Sequence, residues 1–234
     1  MVLKEVFLTG GSGTLGSELI KNSELFGVNF VAPSSTKCNI VDEMSVYENL
    51  SIFTGDVVVH AAAATDVKGI ENSPIDAMRI NVQGTINMIE NCFRFNKKLI
   101  HISTDYVFDG EKGDYLTSDL VNPVSKYAKT KTAAEFLVRT IEEFLIIRTS
   151  FFGYEFPYDK AAADQWSTKD YVDVIAPLIM EHLFTDERGI IHVGTQKTTT
   201  YEKALRRKSN VEKVYLKDIP FKIPRDISLI TEAE

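Results

Sequence analysis

The chain is poor in the residues that would by themselves dictate a function. Two cysteines, Cys38 and Cys92, in 234 residues cannot form a disulfide framework, and neither sits in a C-x-x-C pair. Buried thiols in a reducing cytosol are expected instead. The four histidines, His60, His101, His182 and His192, lack metal-ligand spacing and no Cys or carboxylate cluster completes them, so no metal site is expected. No apolar run approaches the ~20 residues of a membrane span. Met1 leads straight into a charged and then apolar strand, without the basic region and cleavage site of a leader, so a cytoplasmic location without membrane attachment is expected. Positive charge is also scarce. A net charge of -7 argues against non-specific nucleic-acid binding, which depends on basic surface displacing counterions.

What is present suits a globular fold. Hydrophobic residues make up 44% and charged residues 25% of the chain, enough for one domain carrying a smaller lobe. Residues 6–9 form an apolar run ending at Gly10, after which Leu15, Leu19, Ile20 and Leu25 recur at helical spacing until Gly27. Strands are predicted at 28–32, 56–60, 98–103 and 144–149. Helices are predicted from Ser73-Pro74 to about residue 95 and from Asn122-Pro123 onward. This alternation predicts an α/β fold, a doubly wound parallel sheet of the Rossmann type with right-handed crossovers. Past Gly153 the rhythm weakens. Residues 154–163 read as loop, 169–184 as helix, 189–193 as a short strand-like run, 200–208 as helix, and Pro220 and Pro224 punctuate the tail.

The turn Thr9-Gly-Gly-Ser-Gly-Thr-Leu-Gly16 follows the first strand and opens a helix. Glycines at 10, 13 and 16, or 11, 13 and 16, occur where backbone must approach a pyrophosphate and a helix must pack closely on a sheet. Free N–H groups at the helix start would hold the diphosphate of a dinucleotide. Gly10, Ser12, Gly13, Thr14, Leu15 and Gly16 are therefore candidate cofactor-binding residues. The fingerprint expects an acid about 20 positions on for the adenosine ribose. Here the sequence reads Val31-Ala-Pro-Ser-Ser-Thr-Lys37, whose hydroxyls and lysine favour NADP(H) while leaving NAD(H) open.

Tyr127-Ala-Lys-Thr-Lys131 places a phenol and an amine about 40° apart around a helix axis. A neighbouring ammonium favours the phenolate, so Lys131 is expected to lower the Tyr127 pKa and ready it for general acid–base work. Thr104, at the carboxyl end of the 98–103 strand, lies where open α/β sheets bind ligands, and its hydroxyl could orient a reacting oxygen. The alternative is an ordinary surface helix, since Lys126 and Lys129 stand nearby.

With these segments in order, the chain resembles the extended short-chain dehydrogenase/reductases, and within them the dTDP-4-dehydrorhamnose reductase family. The resemblance is carried by residues 10–16, His60-Ala-Ala-Ala-Ala-Thr65 with Val67 and Glu71, Ser103-Thr-Asp-Tyr-Val-Phe-Asp-Gly110, Tyr127 to Lys131 and Arg148-Thr-Ser150. It is strong over residues 1–153 and patchy afterward, at Asp164-Gln165, Gly189-Ile-Ile-His-Val-Gly194 and residues 225–229. It implies NAD(P)H-dependent reduction of the C4 carbonyl of a nucleotide-linked 4-keto-6-deoxyhexose. Thr104, Tyr127 and Lys131 would be catalytic, with Tyr127 and Lys131 also meeting the cofactor. Ala61, Ala62 and Ala63 would line the cofactor, Asn39 and Ile40 would flank the adenine, and Thr104, Asp105 and Tyr106 would face the sugar. The domains implied are a dinucleotide-binding unit over 1–153 and a reduced substrate lobe over 154–234, parts of it returning to pack on the first. A homodimer is left open.

The chain departs from the family at Asn39 and Lys68, where acids are usual, and at Phe151, where tryptophan is common. The stretch between Gly153 and Asp164 is shorter than the family's by about a helix. That shortening keeps a second reading open, a cofactor-binding regulatory subunit without turnover. An epimerase or dehydratase is disfavoured because Asp105 precedes Tyr106 rather than Glu. Within residues 196–225 nine basic side chains (Lys197, Lys203, Arg206, Arg207, Lys208, Lys213, Lys217, Lys222 and Arg225) stand against Glu202, Glu212 and Asp218. They form either a solvated basic face or a contact for a sugar-nucleotide diphosphate.

Overall fold

The structure, a computed structural model, describes residues 4–219 and 223–231; the Met1 end, Pro220 and Lys222 fall outside them. Its centre is β1 (Lys4–Thr9), in which Val6, Phe7 and Leu8 are all buried. A strand apolar on both faces needs cover on both. The following helix is expected to run to Gly27 in one piece but forms α1 (Thr14–Lys21) and α2 (Ser23–Phe26). The break falls at Asn22, whose amide turns back to the Glu18 carbonyl at 2.8 Å, and Gly27 ends α2 in the left-handed region at φ 65°.

After β2 (Val28–Val31) comes α3 (Glu43–Ser51), which the apolar spacing does not announce. It is nucleated by Asp42, whose carboxylate accepts the N–H groups of Met44 and Ser45. β3 (Val57–His60) leads through the Ala61–Ala64 stretch to α4 (Val67–Asn72), also unannounced and capped by Asp66. The long helix expected from residue 73 is α5 (Ile75–Met78), a π-turn over Arg79–Gln83, and α6 (Gly84–Arg94). β4 (Lys98–Ser103) ends in a 3₁₀ turn over Asp105–Val107. The next helix, α7 (Lys126–Val138), starts later than Asn122-Pro123 suggests, because the Ser125 hydroxyl caps the Ala128 N–H.

β5 (Phe144–Arg148) is followed by the short β6 (Phe151–Phe152), β7 (Lys160–Ala162), β8 (Trp166–Ser167) and β9 (Asp170–Tyr171). Then come α8 (Val172–Glu181), β10 (Gly189–His192), β11 (Thr198–Thr199), α9 (Thr200–Leu205), β12 (Glu212–Val214) and a 3₁₀ turn over Leu216–Asp218. Residues 154–163, expected as loop, thus contribute β7, which pairs with β12.

Six strands form one sheet in the order β10-β5-β4-β3-β1-β2, every pair parallel. Helices cover both faces. One cluster joins β1, β3, β4 and β5 to Leu15 and Leu19 of α1 and Val172, Ile175 and Ile179 of α8. The other joins the opposite face to Val46 and Leu50 of α3, Met88 and Cys92 of α6 and Val138 of α7. This is the doubly wound arrangement. The strand order reverses between β1 and β3, so the turns leaving those strands open a crevice at the carboxyl edge, where such sheets bind ligands. Beyond the sheet, β6, β7 and β9 contribute to a cluster of Phe152, Phe156, Ala161, Tyr171 and Val211, β7 pairs with β12, and β8 pairs with β11.

The basic stretch is largely neutralised locally. Lys197 pairs with Asp114 and Asp226, Arg206 with Asp170, Arg207 with Asp173, and Lys208 with Asp159. The Arg206 and Arg207 pairs tie the end of α9 to β9 and α8. Among the described residues no helix is long and apolar enough to cross a membrane.

Candidate active site

At the end of β1 the chain turns at Gly10, whose φ of 75° is one that side chains rarely tolerate. A Cβ there would stand 2.7 Å from the Ala62 nitrogen, so the glycine turn and the Ala61–Ala62 backbone are in direct apposition. Gly13 is the N-cap of α1 and offers no side-chain cap, which leaves first-turn N–H groups free to meet an anion. Ser12, Gly13 and Thr14 are exposed around it, while Leu15 and Gly16 are buried beneath. Ala61, Ala62 and Ala63 are half-buried along the opposite wall. Thr9 locks the two walls together: its hydroxyl accepts the Ala62 N–H at 3.3 Å and lies 2.8 Å from His60 Nδ1. A bare, uncapped backbone cradle at the sheet's switch point fits a dinucleotide.

Of the residues expected near adenine, Asn39 is exposed with its side-chain oxygen taking the Val41 N–H. Ile40 is buried against Gly84, and its carbonyl receives the Asn87 amide at 2.8 Å. The Ile40 side chain serves the core.

Gly16 makes the cradle testable. A Cβ at this position would fall 2.2 Å from the Gly10 carbonyl oxygen, a contact relieved only by moving the turn. Gly16→Ala should cost roughly 1–3 kcal/mol in stability and weaken dinucleotide binding by more than tenfold, measured by denaturation and by nucleotide fluorescence titration. Unchanged affinity would remove the turn from the binding site.

Thr104 leaves β4 as the N-cap of the 3₁₀ turn; its oxygen accepts the Tyr106 N–H at 3.2 Å and its hydroxyl donates to Asp105 Oδ1, also at 3.2 Å. Tyr127 and Lys131 occupy the buried face of α7, 9% and 3% exposed, while Lys126 and Lys129 stay in solvent. The surface-helix alternative is thereby eliminated for this pair. Tyr127 packs on Ile70 and Ala77. Asp105 is 1% exposed and Tyr106 half-buried beside it.

The electrostatics differ from the sequence expectation in one respect. Burial, followed by the Asp105 charge, pushes the Tyr127 phenol up to about 12, against a lesser pull from the Thr104 hydrogen bond. The expected lowering by Lys131 is corrected: its Nζ donates to the Ile102 carbonyl at 2.8 Å and to His101 Nε2 at 3.2 Å. Two of the ammonium's three N–H groups are thus engaged by the strand beneath. Burial in turn lowers Lys131 to about 8, with Glu135 opposing.

A lysine whose folded value lies below its unfolded one binds fewer protons in the folded state between the two values. The fold therefore gains stability as pH rises from about 8 toward the ordinary value of 10.5, by on the order of 3 kcal/mol in total. Chemical denaturation at about pH 7 and about pH 9.5 should show the native protein gaining on Lys131→Met. A constant gap between the two would contradict a buried ammonium.

Several residues that sequence reasoning left unassigned support this centre. Asn81, on the π-turn, accepts the Ala64 N–H at 2.7 Å and donates to Ala64 O and to Thr130 Oγ1, fastening the loop after β3 to α7. Thr85 donates to Asn81 O, so it receives His60 Nε2–H at 3.2 Å, and His60 Nδ1 accepts from Thr9. Burial lowers His60 to about 3, so this ring is a neutral brace. Glu135 of α7 binds Arg148 at the end of β5 through 2.7 and 3.1 Å contacts and accepts the Ser103 hydroxyl at 2.5 Å. Ser150 donates to Asp105. The Asp164-Gln165-Trp166 stretch is an anchored one, with Asp164 taking the Leu216 N–H and Gln165 spanning Thr200 and Pro224. Among the described residues no cluster of His, Cys, Asp or Glu could hold a metal ion.

Comparison with known proteins finds relatives by sequence and by fold. A dTDP-4-dehydrorhamnose reductase of Aggregatibacter actinomycetemcomitans is 31% identical over 187 residues, covering 76% of this chain and 62% of that protein. Methionine adenosyltransferase 2 subunit beta of Bos taurus is 33% identical over 139 residues, covering 56% of this chain and 42% of that one. The chain thus spans less than two thirds of the length of these curated relatives. The crystal structure of dTDP-4-dehydrorhamnose reductase from Bacillus anthracis in complex with NADP shares the fold, with a TM-score of 0.88 at 24% identity over 99% of this chain and 92% of that one. The sequence model for the RmlD substrate binding domain matches residues 4–176, and the chain belongs to that family.

Proposed function

We propose that the chain catalyses NADPH- or NADH-dependent reduction of the 4-keto group of a nucleotide-linked 4-keto-6-deoxyhexose. When bound, the reduced nicotinamide supplies the hydride. The glycine turn from Gly10 to Gly16 holds the diphosphate, and Ala61, Ala62 and Ala63 form the facing wall. Asn39 and Ile40 border the adenine end, Ile40 through its backbone. Tyr127 hands its phenolic proton to the oxygen that gains charge at C4. A donor near 12 remains protonated at neutral pH and still lies below an alkoxide, whose conjugate alcohol is close to water's ~15.7, so the transfer runs downhill. Thr104 turns its hydroxyl from Asp105 to the ketone, Lys131 supports the nicotinamide ribose, and Asp105 and Tyr106 border the sugar.

The observation carrying this reading is the burial of Tyr127 and Thr104, the latter at the carboxyl end of β4, in the sheet whose β1 ends in the glycine turn. NADP(H) is favoured over NAD(H) because the loop after β2 offers Ser34, Ser35, Thr36 and exposed Lys37 with no carboxylate. The test is NADPH oxidation, followed spectroscopically, with dTDP- and UDP-4-keto-6-deoxyglucose. Turnover with either ketone supports the reading.

A second reading, a cofactor-binding regulatory subunit, is favoured by the relation to methionine adenosyltransferase 2 subunit beta and by a stretch between Phe152 and Trp166 that carries β7 but no helix among the described residues. Tight NADPH binding with no turnover of either ketone would select it.

A further inference from the structure

His101 is fully buried in the middle of β4, on a face of the sheet that is otherwise apolar at this level. Leu99, two residues earlier on the same face, and Ile146, its register partner on β5, both belong to the cluster beneath α6 and α7. On β3 its partner is His60, whose ring lies 5.4 Å away. The two imidazoles differ in how they are satisfied. His60 has both nitrogens engaged, by Thr9 and by Thr85. His101 has only one: Nε2 meets Lys131 Nζ at 3.2 Å, while Nδ1 is buried without a hydrogen-bond partner. An ammonium can only donate, so Nε2 accepts and the ring proton sits on Nδ1. A buried donor left without an acceptor is a net cost that leucine at this position would avoid. What histidine supplies in return is an acceptor, which with the Ile102 carbonyl at 2.8 Å engages two N–H groups of Lys131. The titratable groups around that amine are His101 of β4, His60 of β3, and Tyr127 and Glu135 on its own helix, with Glu135 already paired to Arg148 of β5. Both imidazoles are held neutral by burial, so neither repels the ammonium as a cation.

We propose that His101 is a positioning residue for Lys131: its Nε2 and the Ile102 carbonyl hold the amine by two N–H groups and leave the third to meet a bound dinucleotide. This rests on the reading of Lys131 as the support of the nicotinamide ribose, but part of its test needs no ligand. In full-length protein carrying ¹⁵N-labelled histidine, the His101 signals, assigned by their loss in His101→Gln, should show the ring proton on Nδ1 and a bare Nε2. With ¹³C-labelled lysine, the Lys131 signal, assigned by Lys131→Met, should titrate about one to two pH units lower in His101→Leu than in the native protein, because the charged form has lost an acceptor. NADPH binding, followed by fluorescence, should weaken at least about fivefold in the same variant. His101→Gln, whose side-chain oxygen reaches about as far as Nε2 and can accept, should recover both. A native ring protonated on Nε2 would overturn the proposal even if His101→Leu does not fold. An unmoved Lys131 titration in a His101→Leu protein with a native amide spectrum would overturn it too, as would native NADPH affinity in that variant when Lys131→Met binds weakly. Native NADPH affinity in both variants, beside a shifted Lys131 titration, would refute the ribose role of Lys131 and leave its anchoring by His101 standing.

Discussion

Tyr127→Phe should lower reductive turnover by roughly 10²–10⁴-fold, the contribution of a positioned general acid. The ring itself is retained: it packs on Ile70 and Ala77 with 9% exposure, and phenylalanine fills the same volume. Folding and dinucleotide affinity should therefore change little, because the diphosphate cradle lies on β1 and α1. The loss should appear in kcat rather than in nucleotide binding, since the hydroxyl acts on charge that develops only as the ketone is reduced. Steady-state kinetics with NADPH and the keto sugar, beside a fluorescence titration of NADPH, separate the two quantities. A fall of less than tenfold would mean that another group, with water the obvious candidate, delivers the proton.

The second large effect concerns stability. Arg148 and Glu135 are 2% and 3% exposed and joined by a bidentate contact that also holds Ser103, the residue before Thr104. Arg148 further stacks on Phe108 at 5.1 Å. Removing one partner of such a pair strands the other charge in a low-dielectric interior. Arg148→Met should destabilise the protein by roughly 3–5 kcal/mol, or about 6–20 °C in melting temperature for a chain of this size. The double variant Glu135→Leu with Arg148→Met should recover much of the loss, because an apolar pair of similar volume removes the stranded charge. A single-variant loss below about 1 kcal/mol would show that Glu135 finds water or another donor. The pair's purpose is thus geometric: it ties β5 and α7 to the end of β4, which carries Thr104.

The parts of this architecture legible in the sequence are those whose pattern is local. Residues 6–16 announce strand, turn and helix because the glycines and the apolar run lie together, and Tyr127 and Lys131 are legible as neighbours because helical geometry alone brings them together. The unannounced helices α3 and α4 begin at Asp42 and Asp66, and α3 buries only Val46 and Leu50, too few apolar positions to stand out. The short strands from β6 to β9 have two or three residues each, below the length at which alternation can be read, and they exist through pairing with distant partners such as β12. The direction of the Tyr127 shift was hidden for the same reason. Sequence spacing shows the lysine four residues away, but not the Ile102 carbonyl that accepts its N–H, nor Asp105 in the turn after β4.

The most direct measurement is a crystal structure of the protein with NADP⁺ and a nucleotide-linked 6-deoxyhexose. The account predicts the Tyr127 hydroxyl and the Thr104 hydroxyl each within about 2.6–3.2 Å of the sugar O4, with the nicotinamide ring stacked over C4 on the side facing the Gly10 turn. A sugar bound with O4 away from Tyr127, or a phenol turned out of the crevice while cofactor and sugar are both in place, would contradict it.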